Sequence, residues 1–246
     1  MCFKMDISTL GIVLRVIKYN DTSNIVDFYT QALGRCSVMV RIPKSKRSRN
    51  KTFLAQTFAV LDLDLRGKGQ GGFYYLKEAS VSYVYQSVPY NPIKSAIAFF
   101  LAEFVYFAVK EENENKSLFD YLLYSIEWLD LSEANYSNFH LVFLMRFSSF
   151  LGFYPNIDNY KEGDYFDLVH AEFTSSKPLT HSSCLNPNEA SHIRQLMRMN
   201  YETMHLFKLS REERSRILLI LNEFYRLHVP SFPRLNSLDI LRELFD

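Results

Sequence analysis

The sequence predicts an α+β, multi-domain fold: a five-stranded β-barrel of the OB type over residues 1–82, followed by an all-α helical domain over residues 83–246. Three observations carry this expectation. Apolar residues recur with a period of two through residues 8–85 and with a helical period from Asn91 onward. With 246 residues, 48% of them apolar, the chain can fill two cores. Charge divides at the same place, since residues 1–82 hold 13 Lys and Arg against 6 Asp and Glu whereas residues 83–246 hold 15 against 21. A formal net charge of +1 hides a cationic first part and an acidic second.

The first strand is read from Ile12, Leu14 and Val16 alternating with Val13, Arg15 and Ile17, and the second from the β-branched and aromatic run 25–29. A turn at Gly34 precedes the third strand, 36–42. The fourth, 58–65, turns Leu61, Leu63 and Leu65 one way and Asp62 and Asp64 the other, and the fifth occupies 73–85. Short strands with one long connection, here 43–55, fit a small closed barrel better than a sandwich, which needs about seven.

Asn91-Pro92 is an N-cap followed by proline at the first helical position, opening a helix over 91–110. The polar stretch EENENK separates it from a second helix, 117–130. A third spans 135–151 and stops at Gly152, with Pro155 beyond. Residues 153–186 mix aromatic, polar and turn residues, with room for a short strand within 165–173. Asn186 and Ser210 each precede a glutamate by three residues, the capping-box spacing, so helices begin near 187 and 211. The latter ends before Pro230 and Pro233, and a last short helix covers 237–245.

The longest apolar stretch, 96–109, is interrupted by Glu103 and would span about 20 Å as a helix, short of a bilayer, so no membrane partner is expected. The N-terminus shows no export signal, and three widely spaced cysteines suit free thiols, so the expected location is cytoplasmic.

The run RIPKSKRSRNK places Arg41, Lys44, Lys46, Arg47, Arg49 and Lys51 together with no acid among them, and Arg15 and Arg35 fall on or beside the predicted sheet. Such cations bind nucleic-acid phosphates by releasing counterions, largely without regard to sequence. In a eukaryotic chain KSKRSRNK would also suit a nuclear localisation signal. Tyr19, Phe28, Tyr29, Phe58, Tyr74 and Tyr75 are available to stack on bases, although a barrel this small must turn most of them into its core.

Gly67 to Gly72 spells G-x-G-x-x-G, but a strand follows it where a dinucleotide site requires a helix, so it reads as a hairpin loop. Motifs of nucleophile elbows, zinc proteases and P-loops are absent. No enzyme activity and no cofactor are expected. His181-x-x-Cys184 is one short pair with only His170 to add, and a closed zinc site needs four ligands, so no metal is expected.

Taken in order, Asp21-Thr22-Ser23-Asn24-Ile25-Val26-Asp27-Phe28-Tyr29-Thr30, Leu33-Gly34-Arg35, Lys44-Ser45-Lys46-Arg47, Leu118-Phe119-Asp120-Tyr121-Leu122 and Leu151-Gly152-Phe153-Tyr154-Pro155-Asn156 resemble the RecO family of bacterial DNA-repair mediators across both domains. The resemblance implies a non-catalytic protein that binds single- and double-stranded DNA, anneals complementary strands and engages the single-strand-binding protein SSB. With RecR it would help load the RecA recombinase onto SSB-coated DNA. Many members carry a four-cysteine zinc site after the L-G-F/Y-x-x-N motif; here 157–186 contains only Cys184, and zinc is not carried over. Some members place Arg before Phe near the start of the third helix, where the SSB tail is engaged, whereas this chain has Val142-Phe143, with Arg146 one turn on. Phe143, Phe147 and Phe150 share a helix face beside Arg146, which suits a dock for an acidic tail with an apolar tip; the same spacing suits three core residues.

On the residues alone, an OB-fold RNA-binding or translation-associated adaptor fits nearly as well, because no pattern reports a contact to a 2′-hydroxyl. A third reading is an enzyme with 153–186 as an active-site flap.

Overall fold

In the computed structural model, the structure describes residues 6–41, 54, 56–67, 72–158 and 160–245. β1 (Asp6–Asn20) is 15 residues long because it serves two neighbours. Its first half pairs antiparallel with β4 (Val60–Arg66), its second half with β2 (Ser23–Thr30), and Gly11 and Ile12 belong to both pairings. A Cβ at Gly11 would strike the Leu63 side chain, which accounts for glycine at this corner. β3 (Gly34–Arg41) runs antiparallel to β2, while β5 (Tyr74–Val81) runs antiparallel to β4 and meets β3 in parallel at Val38 and Met39. The result is a closed barrel in the order β1-β2-β3-β5-β4, the five-stranded OB-type arrangement the sequence predicts.

Val13, Val26, Phe28, Val38, Leu61, Leu63 and Leu65 fill the barrel, and Asp62 and Asp64 face outward as their alternation predicts. β1 does not alternate: Ile12, Val13 and Leu14 are all buried, so the strand is covered on both faces there.

The helices are α1 (Pro92–Ala108), α2 (Lys116–Leu131), α3 (Phe139–Phe150), α4 (Pro187–Arg198), α5 (Arg211–His228) and α6 (Asn236–Phe245). Two compact units emerge. The first runs through the barrel to Leu131 and takes in Leu235–Leu244; the second is Ser132–Arg234. This differs from the sequence division at residue 82, because α1, α2 and most of α6 join the barrel's unit.

The Asp130 carboxylate accepts the backbone N–H groups of Gln86, Ser87 and Val88, each at 2.8 Å, and the Tyr83 hydroxyl at 3.0 Å. Burial disfavours its charge, yet these four donors outweigh burial and hold the carboxyl below the ordinary range. Lys94, itself buried, donates to the Asp130 carbonyl at 3.0 Å and to Ser87 Oγ at 2.7 Å. The segment leaving the barrel is thereby fastened to the end of α2. Glu103 on α1 accepts the backbone N–H groups of Asn236 and Ser237 at the start of α6, at 3.2 and 2.8 Å.

In the second unit, Phe139, Phe143, Phe147 and Tyr225 form a run of adjacent rings, with centroids 6.4, 5.5 and 6.3 Å apart. The Tyr225 hydroxyl donates to the Leu144 carbonyl at 2.7 Å. Ser210 and Glu213 form a full capping box for α5. At α4 the Glu189 side chain instead returns to the Asn186 side-chain amide at 3.0 Å. α3 begins later than predicted, at Phe139, because Asn135 sits at φ +65°. Residues 153–186 add a small antiparallel sheet of β6 (Tyr165–Asp167), β7 (Glu172–Thr174) and β8 (Cys184–Leu185), in the order β7-β6-β8.

Candidate nucleic-acid interface

Register across β1, β2 and β3 sorts the outward side chains into rows. Arg15 lies opposite Asp27, and Asp27 opposite Ser37; Ile17 lies opposite Ile25, and Ile25 opposite Met39; Ser23 pairs with both Asn20 and Arg41. The first row is claimed by the unit itself. The Arg35 guanidinium donates from Nη1 to the Tyr106 carbonyl at 2.9 Å, and the guanidinium carbons of Arg15 and Arg35 each stand 5.1 Å from the centre of the Tyr106 ring. Tyr29 is buried and stacks with Phe119 of α2 at 6.4 Å.

Gly34 permits this fastening. It adopts φ +63°, and a Cβ there would run into the backbone of Asn113. The next N–H, that of Arg35, donates to the Glu111 carbonyl at 3.1 Å. The Gly-Arg pair read from sequence is therefore where the barrel meets the turn between α1 and α2, and Arg35 is only partly exposed.

Exposed side chains collect toward the far end of the three strands and on the neighbouring β5. Tyr19 is 58% exposed and Tyr75 38%, Arg41 and Lys18 are exposed, and Ile17, Ile25 and Met39 are half-buried. Lys18 makes an exposed ion pair with Asp21 at 3.2 Å, of little worth in water. Cations beside exposed tyrosines on a sheet surface are the components of a single-strand platform. Phe28, Tyr29 and Phe58 are core and unavailable for stacking, while Tyr74 is half-buried. Arg41 ends β3; Lys44, Lys46, Arg47, Arg49 and Lys51 lie outside the described residues, as do residues 68–71 of the glycine-rich stretch, which connects β4 to β5. A cavity of about 360 Å³ opens beside the Arg15 row, lined by Arg15, Thr57, Phe99, Glu103, Tyr106 and Phe107 among others.

Comparison with known proteins decides the family. Residues 5–85 match the family model described as Recombination protein O N terminal, and residues 89–239 match Recombination protein O C terminal. The chain is 55% identical over 238 residues to a DNA repair protein RecO of Bacteroides fragilis, covering 97% of this chain and 98% of that one. The chain belongs to the RecO family. The RecO of Phocaeicola vulgatus is 54% identical over 96% of this chain and 98% of its own, and that of Porphyromonas gingivalis 30% identical over 98% and 100%.

Members of the RecO family are DNA repair proteins, and an OB-type barrel with cations and tyrosines at one end suits that role. The nominated docking face in the helical part needs correction. Phe143 and Phe147 are fully buried, so no partner reaches them without opening the core. Phe150 is half-buried. Arg146 is exposed but donates from Nη2 to the Met199 carbonyl at 3.1 Å.

His170 and the short pair of His181 and Cys184 come together around a residue that sequence reading missed. Asp167 is buried at the end of β6. Its Oδ1 accepts the N–H groups of Val169 and His170 at 2.8 and 3.2 Å, while Oδ2 stands 2.8 Å from His170 Nδ1 and 3.3 Å from His181 Nε2. Burial opposes its charge, but the His170 ring and the two N–H groups prevail and lower its pKa. Cys184 lies opposite Asp167 in the β6–β8 register. The signal available beforehand was Asp167-x-x-His170, a spacing that brings two donors to one turn.

No helix among the described residues is long and apolar enough to cross a membrane.

Proposed function

We propose that this chain is a non-catalytic recombination mediator: it binds and anneals DNA strands and helps load the RecA recombinase onto SSB-coated single-stranded DNA. The observation that carries the reading is the near-full-length likeness to RecO DNA repair proteins. In this reading residues 1–82 bind nucleic acid and residues 83–246 dock partners. Arg41 holds phosphate beside Tyr19 and Tyr75, and the cations of the basic run after it in sequence add further phosphate contacts. Arg15 contributes from the edge of the cluster. Arg35 contributes to holding the barrel rather than the DNA.

Annealing of this kind needs no hydrolysis. Two phosphodiester backbones brought against one cationic surface repel each other less, and base pairing supplies the drive. The helical part, with its excess of acids, repels phosphates and is left for protein partners, SSB and RecR. For the acidic SSB tail, Arg146 and Phe150 are the nominated residues that retain accessible surface.

The test pairs two measurements. Unlabelled DNA should displace a labelled single strand at least as well as RNA of the same sequence, and the protein together with RecR should speed RecA filament formation on SSB-coated strands. Preference for RNA with no effect on filament formation would instead support an RNA-binding adaptor.

A further inference from the structure

We propose that the cavity lined by β1 and α1 holds one unstacked nucleotide of a bound single strand, an inference that rests on the reading of this chain as a DNA binder. The base lies against the rings of α1 and the phosphate on Arg15. At about 360 Å³ the cavity falls at the lower end of the range of small-molecule sites, about 300–1,000 Å³. Its lining belongs to one compact unit: Arg15 of β1, Thr57, one side of α1 and Asn236 at the start of α6.

α1 supplies the aromatic platform. Phe99, Glu103, Tyr106 and Phe107 recur at helical spacing, which places them on one side of the helix. Phe99 is 47% exposed; Tyr106 and Phe107 are half-buried, and their rings meet edge to face with centroids 4.9 Å apart. Rings left partly open beside a cavity can stack on any base, since every base has a π-face. Glu103 is the acid in this lining, and its carboxylate already accepts the N–H groups of Asn236 and Ser237.

Arg15 is the observation that points to an anion. Its guanidinium carbon stands 5.1 Å from the centre of the Tyr106 ring, and among the described residues it makes no ion pair and no hydrogen bond. Asp27, opposite it in register, is engaged by the Ser37 hydroxyl instead. An exposed guanidinium in this position keeps its N–H groups for a phosphate. Lys18 and Tyr19 follow on the same strand, so a backbone lying across that end of β1 continues to the cavity. The consequence is selectivity. A base leaves its stack at least cost in a strand that is already single, so the pocket favours single strands over duplex.

The experiment uses the full-length chain and a single-stranded oligonucleotide carrying one 5-iodouracil, which on irradiation bonds to an aromatic side chain beside it. Mass spectrometry of the crosslinked peptide should find Phe99, Tyr106 or Phe107. Phe99→Ala removes a half-exposed ring. It should weaken single-strand binding at least about fivefold, while the melting temperature and the affinity for a duplex of the same length stay unchanged. Arg15→Ala should weaken both, since a phosphate contact serves either form. Crosslinks confined to Tyr19 and Tyr75, or a Phe99→Ala variant that binds single strands as tightly as the parent, would overturn the pocket and leave the DNA-binding reading standing. Deoxyadenosine monophosphate bound in calorimetry, with no crosslink to α1, would assign the cavity to a free nucleotide and overturn it too. A parent chain that binds no DNA would overturn both.

Discussion

Arg35 donates to the carbonyl oxygen of Tyr106 across 71 positions of sequence, and its guanidinium also faces the Tyr106 ring. A residue whose charge suggested a phosphate contact is thus a fastener between β3 and α1. Arg35→Ala should lower stability by about 1–3 kcal/mol, the range for leaving a shielded carbonyl without its charged donor. Urea denaturation measures it, and the affinity for single-stranded DNA should change little.

Asp130 should be the more costly loss. Asp130→Ala removes the acceptor of three backbone N–H groups and of the Tyr83 hydroxyl, and takes a carboxylate from the neighbourhood of buried Lys94. Each shielded donor left without its acceptor costs about 1–3 kcal/mol, so the loss should exceed that of Arg35→Ala. Because the folded carboxyl titrates below its ordinary value, its contribution is present above the unfolded pKa and is lost as pH falls through the folded one. Chemical denaturation of Asp130→Ala at neutral pH checks the magnitude.

How far these relationships could be read in advance depends on range. Leu61, Leu63 and Leu65 against Asp62 and Asp64 announce a strand because the pattern is local, and Ser210 with Glu213 announces a helix start for the same reason. The contacts of Tyr106 with Arg35, and of Asp130 with residues 83–88, join parts of the chain far apart, and no short pattern reports them. α3 failed for a different reason. It buries nine of its 12 residues, so Phe143 and Phe147 had no polar face to be read against, and surface and core shared one spacing. Asp167 went unread because an isolated aspartate in a turn-rich segment carries no sign of the rings that reach it.

His140 should make the second unit sensitive to mild acid. Burial, then the charge of Arg214, press its pKa from 6.5 down to about 3. Between those values the unfolded chain takes up a proton that the folded chain refuses, so stability falls as pH drops below about 6.5, by up to about 1.4 kcal/mol per pH unit from this group. Above that pH the group is neutral in both states and contributes no slope. Melting temperatures from pH 7.5 to 4.5 should fall less steeply for His140→Leu than for the parent.

The basic run should govern the salt dependence of DNA binding. If Lys44, Lys46, Arg47 and Arg49 each neutralise one phosphate, replacing all four with Ala should flatten the slope of log K against log salt by about 3 units on single strands, from ~0.7 per contact. An unchanged slope would place the phosphates elsewhere.

The most direct measurement is the annealing of complementary strands each coated with SSB, followed by fluorescence with the parent protein and with the four-alanine variant. The parent should accelerate duplex formation without nucleotide, and the variant should lose most of that acceleration while melting at the same temperature. If the parent gives no more duplex than SSB-coated strands alone, the account of a cationic barrel that brings two backbones together is contradicted.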